Sequence, residues 1–119
     1  MKHAYLILAH NEFGLLQTLV SCMDDPRNDI YVHIDKKVKE MPELRTGKAG
    51  LTMIDTRFDI RWGDYSMVEA EYALFEAAVA NGPYAYYHLL SGVDQPLKSQ
   101  DYIHHFCETH QGKISRSEE

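Results

Sequence analysis

The run from Ala4 to Ala9 (AYLILA) constrains the fold more than any other segment of the chain. It is apolar throughout, with no alternation of polar and apolar positions. A strand with that pattern must be covered on both faces, which is the condition of a strand inside a parallel sheet. The run is far shorter than the roughly 20 apolar residues that span a membrane. No small-residue cleavage site follows it, so it does not read as a signal peptide. Asn11 is a good N-cap, and Leu15, Leu16, Leu19, Val20 and Met23 then recur at helical spacing until Asp24-Asp25-Pro26 stops them. Asp29 to Ile34 (DIYVHI) reads as a second strand that ends at Asp35. The chain up to Asp35 is thus strand–helix–strand, a crossover that makes the two strands parallel.

Residues 36–50 break the pattern. Lys36, Lys37, Lys39, Arg45 and Lys48 face only Glu40 and Glu43, with Pro42, Gly47 and Gly50 among them. This composition predicts a solvated surface loop with room for a short helix. Leu51 to Ile54 reads as a short strand. Ser66 and Glu69 have the spacing of a capping box, in which each side chain satisfies the other residue's amide. The helix they open puts Met67, Ala70, Leu74, Ala77 and Ala78 on one face, and Asn81-Gly82-Pro83 closes it with a capping glycine and a breaker. Tyr84 to Leu90 reads as an aromatic-rich strand, followed by a turn over Ser91 to Pro96. Ser99 caps a last helix that runs to about His110 and ends at Gly112. Residues 114–119 carry no hydrophobic pattern and read as an irregular tail. The order predicts an α/β fold, a Rossmann-like, mostly parallel, doubly wound sheet.

Composition narrows the functional classes. The chain has 119 residues, 45% hydrophobic and 25% charged, which suits one globular domain and excludes disorder as the main state. A formal charge of -6 argues against a broad basic surface, so nucleic acid is not an expected partner. Cys22 and Cys107 do not make a disulfide framework. The chain lacks Gly-x-Gly-x-x-Gly, a Walker loop and a serine nucleophile elbow. His104, Cys107 and His110 drift around their helix and hold a single metal awkwardly. No Asp-x-Asp pair occurs, so the usual ligands for a metal-bound nucleotide diphosphate are missing.

In a doubly wound sheet, ligands bind at the carboxyl ends of the strands. His10, Asp35 and Asp94 follow the first, second and fourth strands. Asp35 can accept hydrogen bonds from a ribose hydroxyl or a base N–H; an aspartate there can equally cap the amides of its own loop. In Ser91-Gly-Val-Asp94-Gln-Pro-Leu97, Gly92 lets the backbone turn and Pro96 fixes the exit, which presents Asp94 or folds it into an Asx-turn. Arg57 and Arg61 precede a helix N-terminus and are candidate phosphate partners. Trp62-Gly63 offers a stacking face, or Trp62 packs under its own loop.

Four segments together resemble one family: His3 to Asn11, Tyr31 to Lys37, Arg61 to Ala70 and Leu89 to Leu97. In this order and spacing they are similar to the Core-2/I-branching enzymes, a glycosyltransferase family that includes N-acetylglucosaminyltransferases and protein O-xylosyltransferases. The resemblance implies a glycosyltransferase-A fold and an inverting transfer of a sugar, N-acetylglucosamine or xylose, from a UDP-sugar to a glycan or other hydroxyl acceptor. It implies no divalent metal and no other cofactor, the diphosphate being neutralised by basic side chains later in the domain. By position, Leu8 and Asp35 match the residues that contact the nucleoside, with His10 beside them. Trp62, Gly63 and Ser66 fall in the family's loop-and-cap segment, and Asp94 matches the aspartate near the donor sugar. The family's general base is a later glutamate, so residues 1–113 are expected to be the UDP-sugar-binding part of a truncated domain, with the catalytic residue beyond residue 119. The competing expectation is a non-catalytic α/β module that self-associates through its last, exposed strand edge. The implied localisation is cytoplasmic or peripheral to a membrane, in contrast to the Golgi location of animal relatives.

Overall fold

We describe the computed structural model over residues 2–61 and 64–91, together with the backbone of the short strand Ser115–Arg116. The chain forms β1 (His3–Ala9), α1 (Phe13–Cys22), β2 (Asn28–Ile34), β3 (Gly50–Met53), α2 (Tyr65–Asn81), β4 (Tyr86–Ser91) and β5 (Ser115–Arg116). Its strands form one sheet in the order β3-β2-β1-β4-β5, and every pairing is parallel. This is the expected Rossmann-like α/β arrangement, and it is consistent with a glycosyltransferase-A domain.

The unbroken apolar run of β1 has a direct cause. Tyr5, Ile7 and Ala9 join Ile30, Val32 and Ile34 of β2 in a core closed by Leu16, Leu19, Val20 and Met23 of α1. The alternate residues Ala4 and Leu6 join Tyr31 and Leu89 in a second core closed by Leu74 and Ala78 of α2. Each face of β1 therefore has its own helix, and each buried Leu or Ile contributes roughly 1.5–3 kcal/mol relative to an exposed one.

Helix boundaries depart from the sequence reading in instructive ways. Asn11 is not the cap of α1: the cap is Glu12, in the left-handed region at φ 51°, with no side-chain cap bond. Starting at Phe13 lets that side chain pack against the α1-side core, so packing sets the start rather than cap chemistry. The capping box also gives way. Helix α2 begins one residue earlier than Ser66, and Asp64 Oδ1 accepts from the Tyr65 amide at 2.7 Å. A carboxylate is favoured at this positive helix end. Ser66 Oγ instead accepts from the Arg61 amide at 2.9 Å, tying the first turn to the preceding segment. Gly82 does cap α2, but in extended rather than left-handed backbone. A Cβ there would lie 3.2 Å from the Tyr84 amide nitrogen and 3.3 Å from the Tyr87 hydroxyl, so the glycine supplies close approach.

The basic segment after β2 forms a loop with no helix. It is not loosely solvated. Asp24, just past α1, accepts from the amides of Gly47, Lys48 and Ala49 at 2.7–2.8 Å. Gln17 of α1 exchanges two hydrogen bonds with the backbone of Arg45. The loop is thereby strapped along α1 before it enters β3.

Strand β4 starts at Tyr86 rather than Tyr84. Tyr84 belongs to a polar chain: its hydroxyl donates to Asp29 Oδ2 at 2.6 Å and lies 2.6 Å from the Tyr31 hydroxyl. Ser115–Arg116 pairs with His88 and Leu89 as a two-residue strand within the segment read as an irregular tail. The turn carrying Asp94 and the helix expected over residues 99–110 lie outside the described residues.

Candidate functional site

The sheet order reverses at β1, which pairs with β2 on one side and β4 on the other. At such a switch point the connections leave in opposite directions and a crevice opens at the carboxyl ends of the strands. Register places Leu8 opposite His33 of β2 and opposite Ser91 of β4. These three residues form one row across the carboxyl edge, on the α2 side of the sheet. Leu8 is half-buried and packs against the α2-side core, while His10, one residue beyond β1, is exposed.

Asp35 extends β2 past its end, its amide donating to the Ala9 carbonyl at 2.9 Å. It is 2% exposed. Oδ1 accepts from the Lys37 amide at 2.8 Å, and Oδ2 accepts from the Lys37 ammonium at 3.1 Å and the Ile60 amide at 3.3 Å. Burial is the largest single influence on this carboxyl and pushes its pKa up. The Lys37 amide and ammonium and the Ile60 amide outweigh it and hold the group below the usual aspartate value of 3.8. Of the two roles open to Asp35 from sequence, loop capping is the one its contacts display.

Residues 55–61 fold over this edge and hold it. The Phe58 amide donates to His33 Nε2 at 2.9 Å, and the Phe58 ring stacks on the imidazole with centroids 6.1 Å apart. His33 is fully buried. Desolvation is the main cause of its lowered pKa, so the ring is neutral at pH 7 and carries its proton on Nδ1. The Arg57 guanidinium donates to the carbonyls of Ile34, Asp35 and Val38 at 2.7–2.8 Å. This corrects its reading as a phosphate partner: Arg57 is engaged as a clamp on the loop after β2. Arg61 remains exposed. Lys37 bridges Asp35 and Asp59 and donates to the Ile60 carbonyl at 2.8 Å.

Of the residues singled out from sequence, Leu8, His10 and Asp35 stand together at this edge. Ser66 stands at the start of α2, linked to the edge through the 55–61 segment. Trp62, Gly63 and Asp94 lie outside the described residues. Sequence reasoning missed His33 and Ser91. The signal for His33 was a lone polar residue in the otherwise apolar VHI of β2; Ser91 needed the register of β4 on β1. Asp35, Asp59 and Asp64 each already accept bonds or pair with a cation. None of these three carboxylates is without a partner at this edge.

Sheet order and strand register define a Rossmann-like α/β domain whose strand order reverses at β1. The Core-2/I-branching enzyme family model matches residues 3–119. The chain belongs to that family, which implies glycosyltransferase activity. No individual curated protein matches the chain. Among the described residues, no helix is long and apolar enough to cross a membrane.

Proposed function

We propose that the carboxyl edge at Leu8, His10 and Asp35 is the donor-nucleotide site of a glycosyltransferase. The enzyme would transfer a sugar, N-acetylglucosamine or xylose, from UDP to an acceptor hydroxyl with inversion and without a divalent metal. The supporting observation is the row His33–Leu8–Ser91 at the switch point, with Asp35 directly beyond it. Leu8 gives the nucleoside an apolar floor. Asp35, held ionised by the amides of Lys37 and Ile60, keeps lone-pair capacity to accept from a base N–H or a ribose hydroxyl. His10 flanks the entrance. By the family resemblance, Trp62, Gly63 and Ser66 would contribute to the same donor site, and Asp94 would lie near the donor sugar. Inverting displacement also needs a general base for the acceptor hydroxyl, and we assign none among the described residues.

Calorimetric titration with UDP and ADP tests the reading. Binding at about 1 mM or tighter is expected for UDP, with at least about tenfold preference over ADP, equivalent to about 1.4 kcal/mol. His10→Ala, at an exposed position, should weaken UDP several-fold and leave the fold intact. Equal affinity for the two nucleotides would contradict it.

A further inference from the structure

Strand β3 is the outermost strand on its side of the sheet, and among the described residues nothing pairs with its outer edge. Gly50 and Thr52 are exposed, and Leu51 and Met53 are half-buried. A groove of about 780 Å³ lies between this edge, with its continuation through Thr56, and helix α2. On the helix side, Tyr65, Val68 and Tyr72 recur at the spacing of one helical face. They are 70%, 52% and 66% exposed, unusual for three such side chains in a row. The charged residues lining the groove are Asp55, Glu69 and Glu76, and no Lys, Arg or His lines it among the described residues.

We propose that this groove takes an extended, cationic polypeptide segment, which adds as a further strand on β3. An unpaired strand edge beside a helix is the geometry of β-augmentation, in which main-chain bonds give affinity and alternate side chains give specificity. A strand added at about 4.8 Å from β3 directs every second side chain toward the helix. There Val68 and Tyr72 receive apolar groups, and the three carboxylates select Lys or Arg. A second copy of this chain fits poorly, because symmetric pairing would set one acidic groove against another on molecules that each carry -6. The inference does not depend on the donor site.

The probe is a fluorescently labelled peptide of alternating lysine and valine, titrated against the chain and followed by anisotropy. The controls are an alternating glutamate–valine peptide and the lysine–valine peptide with a central proline, which removes a main-chain donor. The lysine–valine peptide should bind and should slow amide exchange in β3. The proline version and the Glu69→Lys/Glu76→Lys variant should each weaken it about tenfold, and the glutamate peptide should not bind. Both glutamates are exposed, so circular dichroism should be unchanged; Tyr72→Ala provides a second, uncharged disruption. Binding insensitive to the proline and to both variants would overturn the proposal. So would absence of binding, a neutral oligosaccharide such as chitotetraose occupying the groove in place of the peptide, or a ligand-free dimer in sedimentation that Tyr72→Ala dissolves.

Discussion

The Phe58 amide donates to Nε2 of His33 at 2.9 Å, and this single bond fixes which nitrogen of a fully buried imidazole is bare. Protonation at Nε2 would put two donors face to face. With the folded pKa below the usual 6.5, the unfolded chain binds more protons at mildly acid pH. The stabilisation is therefore complete above about 6.5 and is lost as pH falls toward the folded value. Urea midpoints should drop between about pH 7.5 and 5.5. His33→Gln, whose amide oxygen can still accept, should flatten that dependence relative to the parent.

Asp24 holds the basic loop through three amides. Its pKa is lowered, chiefly by the Ala49 and Gly47 amides, so the contribution is present above 3.8 and is lost as pH falls below that value. The group is partly solvated, which reduces its worth. Asp24→Ala should cost about 1 kcal/mol in urea denaturation. It should also speed hydrogen exchange at Gly47, Lys48 and Ala49 while leaving β1 protected.

The hydroxyl chain Tyr31–Tyr84–Asp29 ties β2 to the entry of β4. Burial, followed by the Asp29 and Tyr31 hydrogen bonds, raises the Tyr84 pKa well above the usual 10.0. Stability from this group is full below 10 and is lost at higher pH. Tyr84→Phe should cost about 1–3 kcal/mol, because the buried Tyr31 hydroxyl and the partly buried Asp29 carboxylate each lose a partner. It should also reduce the alkaline loss of stability. Thermal melts across pH 8 to 11 would check both.

Arg57 reaches three carbonyls with one planar guanidinium, a geometry that lysine cannot reproduce. Arg57→Lys should therefore cost about 2 kcal/mol. It should also weaken UDP binding several-fold without any contact to the nucleotide, since the loop that presents Asp35 loses its clamp. An unchanged UDP affinity in a destabilised protein would separate this loop from the site.

What could be read from the sequence was what local pattern encodes. The apolar run of β1 and the helical spacing of Leu16, Leu19, Val20 and Met23 report burial directly, because each position has one environment. Asp35 stood out because a strand ended on it. Arg57 was misread because its partners are carbonyls 19 to 23 residues away, and a basic residue near a helix start looks the same whether it awaits a phosphate or grips a loop. The choice of Asp64 over Ser66 as cap turned on a contact between Ser66 and Arg61 that no spacing rule encodes. His33 and Ser91 join Leu8 at the candidate edge only through register, which two strands separated by a helix do not reveal one at a time.

Backbone amide NMR with UDP and ADP shows whether UDP occupies the proposed site at the carboxyl edge of β1. UDP should shift the amides of Leu8, Ala9, His10, Asp35 and Ser91, and ADP at the same concentration should leave them near their free positions. Shifts that avoid these amides, or that ADP reproduces in full, would contradict it.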